Sequence, residues 1–125
     1  MKRNVILLLV LFGLAALSCD KRKNYYQYYP NIPGETLFEN DRIVVQRFVI
    51  QPGQWEGIHA HPGNQLYVHI KGGEWTVRYG EKEEVSIAEH GSVGWMDAVD
   101  LNEEHESGNT GNTPIELLWI AVKPQ

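Results

Sequence analysis

Cysteine is almost missing. Cys19 is the only one, so no disulfide can close within the chain, and neither a multi-cysteine metal cage nor a redox pair is available. Long apolar runs are missing as well. The longest, Val5–Leu17, stops at thirteen residues, short of the about 20 needed to span a bilayer comfortably. Positive charge is scarce: eleven Lys and Arg stand against sixteen Asp and Glu, a formal net charge of −5. That balance lacks the basic footprint of a nucleic-acid reader, and no nucleic-acid partner is expected. The sequence contains no internal repeat, no low-complexity tract and no convincing amphipathic helix. At 125 residues it has room for one domain. Its 42% hydrophobic and 22% charged content argues against wholesale disorder.

What is present begins with an address. Lys2 and Arg3 precede the Val5–Leu17 run, the arrangement of a signal peptide. The following Ala15-Ala16-Leu17-Ser18-Cys19 resembles the bacterial lipoprotein box, with Ala16 where leucine is commoner. The resemblance implies that residues 1–18 are removed and that Cys19 is lipidated. The protein would then be a lipoprotein of the bacterial cell envelope, tied to the membrane through its lipid and facing the periplasm or exterior. An ordinary signal peptide or an uncleaved anchor is the alternative. Loss of Lys2 and Arg3 takes the mature charge from −5 to −7. Residues 20–33 hold a basic cluster, four tyrosines and two prolines without period, and residues 19–30 are expected to be a tether. The tyrosines would otherwise lie across the outside of the barrel or at the membrane interface.

From Glu35 onward, short runs of β-branched and aromatic residues alternate with Gly, Pro, Asn and Asp about every ten residues, which predicts an all-β sandwich or barrel. Strands are expected at 43–51, 66–71, 75–79, 84–88, 93–96 and 115–122, with a turn at 108–112. Strand alternation places Gln65, Tyr67 and His69 on one face and Leu66, Val68 and Ile70 on the other. The second face needs a cover, and a homodimer is one way to supply it.

Gly53, five residues, His59, one residue, His61, three residues, Gln65, six residues and Gly72 form the most specific pattern. Two histidines one residue apart on extended chain point the same way and can converge on one ion. This spacing resembles the first motif of the cupin family, with Gln65 where the family has Glu. His105-Glu106-Ser107-Gly108-Asn109 is similar to the latter half of the second motif, although the segment before it, from Gly91, is three residues longer than usual and lacks the family's Pro and Gly. The resemblance implies a cupin-like jelly-roll β-barrel over residues 31–125. It also implies one divalent transition metal (Fe, Mn, Zn, Ni or Cu) held by His59, His61, Gln65 and His105. The alternative is a metal-free barrel whose histidines are hydrogen-bonded core residues.

Other residues are candidates around such a site. Tyr67 would be an acid or base beside the metal, or simply a packed tyrosine. His69, Trp55, Trp95, Arg47 and Arg78 are expected to line the pocket, with an inward arginine offering a bidentate partner to a substrate carboxylate. Each has a plainer reading as core or solvated surface. Since the family hosts dioxygenases, isomerases, lyases and binding proteins, the resemblance leaves the activity open. The two readings are a metal-dependent enzyme or receptor for a small polar molecule, and a non-catalytic binding or structural lipoprotein whose metal site has decayed.

Overall fold

The structure is a computed structural model that describes residues 25–125. The expected signal segment, Cys19 and the start of the expected tether lie outside the described residues. Eight strands follow in order: β1 (Glu35–Glu39), β2 (Ile43–Ile50), β3 (Gln65–Lys71), β4 (Gly73–Tyr79), β5 (Lys82–Ala88), β6 (Val93–Met96), β7 (His105–Asn109) and β8 (Ile115–Val122). They form a five-stranded sheet, β1-β2-β8-β3-β6, and a three-stranded sheet, β5-β4-β7. Every pairing is antiparallel. The architecture is the expected all-β jelly-roll barrel.

Alternation along β2 and β8 builds the core. Val44, Gln46, Phe48 and Ile50 face inward from β2, and Ile115, Leu117, Trp119 and Ala121 from β8. The two strands pair without interruption from Ile43↔Val122 to Ile50↔Ile115, so both inward rows are in register. Each fully buried aliphatic or Phe side chain contributes about 1.5–3 kcal/mol. Gly72 carries the chain from β3 in one sheet to β4 in the other. A Cβ there would sit 1.8 Å from the Ala88 carbonyl oxygen, so only glycine fits the crossing.

Two strands escaped the sequence reading. The edge strand β1 is exposed along its whole length and therefore shows no buried row. β7, with the sequence HESGN, carries no β-branched residue, and its Gly108 and Asn109 were expected to begin a turn. Instead β7 pairs with β4 from Tyr79↔His105 to Trp75↔Asn109. The Asn109 amide pins its end, donating to the carbonyls of Ile50 and Thr113 at 2.9 and 2.8 Å. Tertiary pairing overrides local propensity here.

The N-terminal segment is also part of the domain. Gln27, Tyr29 and Ile32 are buried. The Gln27 N–H donates to Gln46 Oε1 (2.7 Å), and Gln46 Nε2 donates back to the Gln27 carbonyl (3.1 Å). Tyr29 packs edge-on against Phe48 at 4.6 Å and accepts a hydrogen bond from Trp119 Nε1 (2.6 Å). A tether reaching residue 30 is therefore corrected: residues 27–32 strap across the barrel, because their polar groups find buried partners that a free tether would leave to water.

Candidate metal centre

Residues 53–61 have too few regular hydrogen bonds to be a strand, yet they are stitched along β7. Glu56 N–H donates to the Ser107 carbonyl (2.8 Å), and His59 N–H to that of His105 (3.0 Å). His61 then exchanges backbone hydrogen bonds with Val99 at 2.9 and 3.0 Å. Gly57, at φ +83°, breaks the extended run between Glu56 and His59. Strict alternation would put residues 56 and 59 on opposite faces, and this bend brings both inward. Just ahead of His105, Asp100 and Glu103 cap a short 3-10 turn, Leu101–Glu103, reciprocally.

The result is a cluster of His59, His61 and His105, all buried, with one ligand nitrogen from each lying within 4.8 Å of the others. The His59 ring lies 4.7 Å from His61 and 4.8 Å from His105, centre to centre. His59 Nδ1–H donates to the Gly57 carbonyl (2.8 Å), which fixes the tautomer and leaves a lone pair on Nε2. His61 Nε2 lies 3.1 Å from that atom. Burial pushes His59 down to about 4, and the nearby His105 adds to the shift. Burial, then His59 and His105, pushes His61 down to about 3. Burial lowers His105 too, against the pull of Glu103. All three are therefore neutral near pH 7, the form that binds metals.

These residues fit a divalent transition metal. Two nitrogens 3.1 Å apart and each about 2.0–2.1 Å from one ion would subtend about 95–100° at it. The same separation suits a single hydrogen bond between the rings. Buried polar atoms without hydrogen-bond partners lie on several of these residues, namely Nδ1 of His61 and His105, the amide of Gln65 and Glu56 Oε1. Such orphans are rare in folded proteins, and here they gather in one place. Gln65, fully buried at the start of β3, lies against His61 and is a neutral donor.

A cavity of about 410 Å³ opens from this cluster between the sheets. His61, His105, Glu56 and Tyr29 form its inner wall, with Tyr67 and His69 of β3, Trp75 and Tyr79 of β4 and Trp119 of β8 around them. The Tyr79 ring lies 4.7 Å from His105. His69 Nδ1 meets Ser92 Oγ at 3.0 Å. Leu66, Val68 and Ile70 are not in the lining.

Four expected lining residues lie elsewhere. Arg47 is held on the outside of the barrel by Glu116 (2.7 Å) and Glu35 (3.2 Å). Arg78 pairs with Glu83 (2.7 Å) and lies 3.6 Å over the Trp55 ring. That stack keeps Trp55 away from the cavity, and Trp95 is half exposed on β6. Charge pairing and cation–π contact outside the barrel are better for an arginine than burial opposite apolar rings. Among the described residues, no lysine or arginine lines the cavity.

Glu56 and Tyr29 were not anticipated as site residues. Glu56 is 1% exposed, and its Oε2 lies 3.7 Å from His59 Nε2. Burial pushes its carboxyl well above the usual carboxylate range, although the hydroxyls of Tyr29 and Ser107 favour the anion. The Gly57 bend hid it, because alternation counted from His59 places it outward.

A scan against protein-family models gives no match, and a search of curated proteins finds none either. Solved structures are similar. A cupin domain from Bordetella pertussis Tohama I shares 20% identity over 79% of this chain and 100% of its own, with a TM-score of 0.66. An RmlC-like cupin family protein with a double-stranded β-helix fold, from Methanocaldococcus jannaschii, shares 15% identity over 73% of this chain and 79% of its own, with a TM-score of 0.55. A Cupin 2 conserved barrel domain protein from Salinispora arenicola shares 14% identity over 94% and 88%, with a TM-score of 0.52. The topology, the histidine cluster and these likenesses agree, and the described residues form a domain with the cupin fold.

Proposed function

We propose that this chain is a metal-binding cupin-fold lipoprotein of the bacterial cell envelope, anchored through Cys19, that binds or transforms a small polar molecule. The observation that carries the metal reading is the convergence of three buried, neutral imidazoles beside several buried polar atoms that lack partners. His59, His61 and His105 would hold the ion, with Gln65 adjacent. A divalent transition metal supplies Lewis acidity toward a carbonyl or hydroxyl, or redox chemistry if it is iron or copper. The protein's own part is to bind and orient. Tyr67, Tyr79 and His69 offer hydrogen bonds along the cavity, and Trp75 and Trp119 offer ring faces. With Glu56 and Glu89 in the lining and no cationic side chain there among the described residues, the cavity favours a neutral, hydroxyl-bearing molecule.

A second reading, a non-catalytic binding or structural lipoprotein without metal, draws on Gln65 and on the 3.1 Å approach of His59 to His61, which one hydrogen bond would satisfy. Elemental analysis of the full chain, produced without a histidine tag, separates the two. The first reading expects about one ion per chain, and none in the His59→Ala/His61→Ala variant. Metal-free protein that stays so after exposure to iron, manganese, zinc, nickel and copper would establish the second.

A further inference from the structure

We propose that Glu56 supplies the negative charge of the metal centre, in place of the carboxylate that Gln65 does not provide. The inference rests on the metal reading above and adds to it the residue that balances the ion.

Gln65 is neutral, and so are the three imidazoles. An ion held by those four side chains alone would keep its full double charge inside a wall that is mostly aromatic and apolar, at a large desolvation cost. A carboxylate of the protein facing it would lower that cost. Among the described residues, Glu56 is the one acidic side chain that is buried. Its only ion-pair neighbour is His59, at 3.7 Å from Oε2 to Nε2, and no lysine or arginine reaches it. A buried carboxylate is costly without a cation beside it, and even the neutral carboxyl needs hydrogen-bond partners. Its Oε1 is buried and has no hydrogen-bond partner at all.

Position agrees with charge. Glu56 lines the cavity together with His61 and His105, while Gln65 and His59 are not in the lining. Glu56 Oε2 lies 3.7 Å from His59 Nε2, outside the set of three histidine ligand atoms that lie within 4.8 Å of one another, so its charge would act on the ion from beside His59. Neighbouring groups also orient the carboxyl. Indole N–H is only a donor, so Trp119 Nε1–H must donate to the Tyr29 oxygen, which leaves the Tyr29 proton free for Glu56. The backbone of Glu56 is itself fixed to Ser107 on β7, the strand that carries His105.

The test measures the affinity of the metal-free full chain for cobalt(II), by competition with a chelator, in the parent, Glu56→Gln, Glu56→Gln/Gln65→Glu and Gln65→Glu proteins. Far-UV circular dichroism and thermal melting of each metal-free form establish that it is folded. Glu56→Gln should weaken binding by about 10–100-fold, as loss of a charged supporting group at a metal site does. Restoring a carboxylate beside His61 in the double variant should recover most of that loss. Parent-like affinity in Glu56→Gln would overturn the proposal while leaving the metal centre intact. A weakened Glu56→Gln whose folded double variant recovers nothing would also overturn it, since Glu56 would then act only by holding His59. A parent that binds no cobalt(II) would instead remove the metal reading itself, and this proposal with it.

Discussion

The strap at residues 27–32 can be tested through one hydroxyl. Tyr29→Phe keeps the ring that packs on Phe48 and His59, each at 4.6 Å, and deletes the oxygen that accepts from Trp119 Nε1. Trp119 is 3% exposed, so its indole N–H would be left unpaired in the core. An unsatisfied buried donor costs about 1–3 kcal/mol. Tyr29→Ala removes the ring as well and opens a cavity, raising the loss to about 3–5 kcal/mol. For a domain of this size each kcal/mol lowers the melting temperature by about 4–8 °C. Tyr28, 72% exposed beside it, is the control, and its alanine variant should stay within about 0.5 kcal/mol of the parent. Urea unfolding of metal-free protein, followed by tryptophan fluorescence and circular dichroism, reads all three. If Tyr29→Ala were as harmless as Tyr28→Ala, the segment would be detached in solution and the strap would not exist.

Acid should weaken the metal-free protein before the carboxylates titrate. His59 and His61 are held near 4 and 3 in the folded state and return to about 6.5 when unfolded. The unfolded chain therefore holds more protons below 6.5, and the stability these groups contribute is complete above that pH and lost as pH falls toward 4. Each imidazole contributes about 1.4 kcal/mol per pH unit in that window. The Glu56 carboxyl, pushed up by burial, works in the opposite direction, so the series is read in Glu56→Gln: its urea midpoints at pH 7.5, 6.5 and 5.5 should fall in that order, and a flat or rising series there would mean that the imidazoles are not buried as neutral groups. At the sheet crossing, Gly72→Ala would force a Cβ to within 1.8 Å of the Ala88 carbonyl, and neither backbone can give way cheaply. A loss of about 3 kcal/mol in urea unfolding is expected; an unchanged midpoint would show that β3 and β4 are joined differently.

How much was legible depended on whether a residue's role is local. β2 and β8 showed because an inward row of apolar residues leaves a period of two in the sequence. The histidine spacing showed because two ligands on extended chain need an intervening residue. β7 could not show: His105-Glu106-Ser107-Gly108-Asn109 is a strand only because β4 and residues 53–59 lie on either side of it. Arg47 and Arg78 were placed by their apolar neighbours in sequence, whereas Glu35, Glu83 and Glu116 hold them outside. Those partners are across strands, where composition gives no hint. Glu56 stood in plain view within the histidine motif, but only the positive φ at Gly57, which sequence spacing does not reveal, turns it inward beside His59.

The strap, the core and the candidate metal centre are one hydrogen-bonded unit. Trp119 belongs to the inward row of β8, which also holds the apolar core together. Its indole donates to Tyr29 from the strap, and Tyr29 lies against both His59 and the Glu56 carboxyl. The segment read from sequence as free chain between lipid and barrel thus carries an inner wall of the cavity on its last residues. A barrel cut back to residue 31 would lose Tyr29, leave the Trp119 N–H and the Glu56 carboxyl without that hydroxyl, and open the space behind His59 to water. Water there would lower the cost of charging the imidazoles, the condition that keeps them neutral and able to bind an ion. The strap therefore has a duty at the site itself. Residues 27–32 close the inner side of the site.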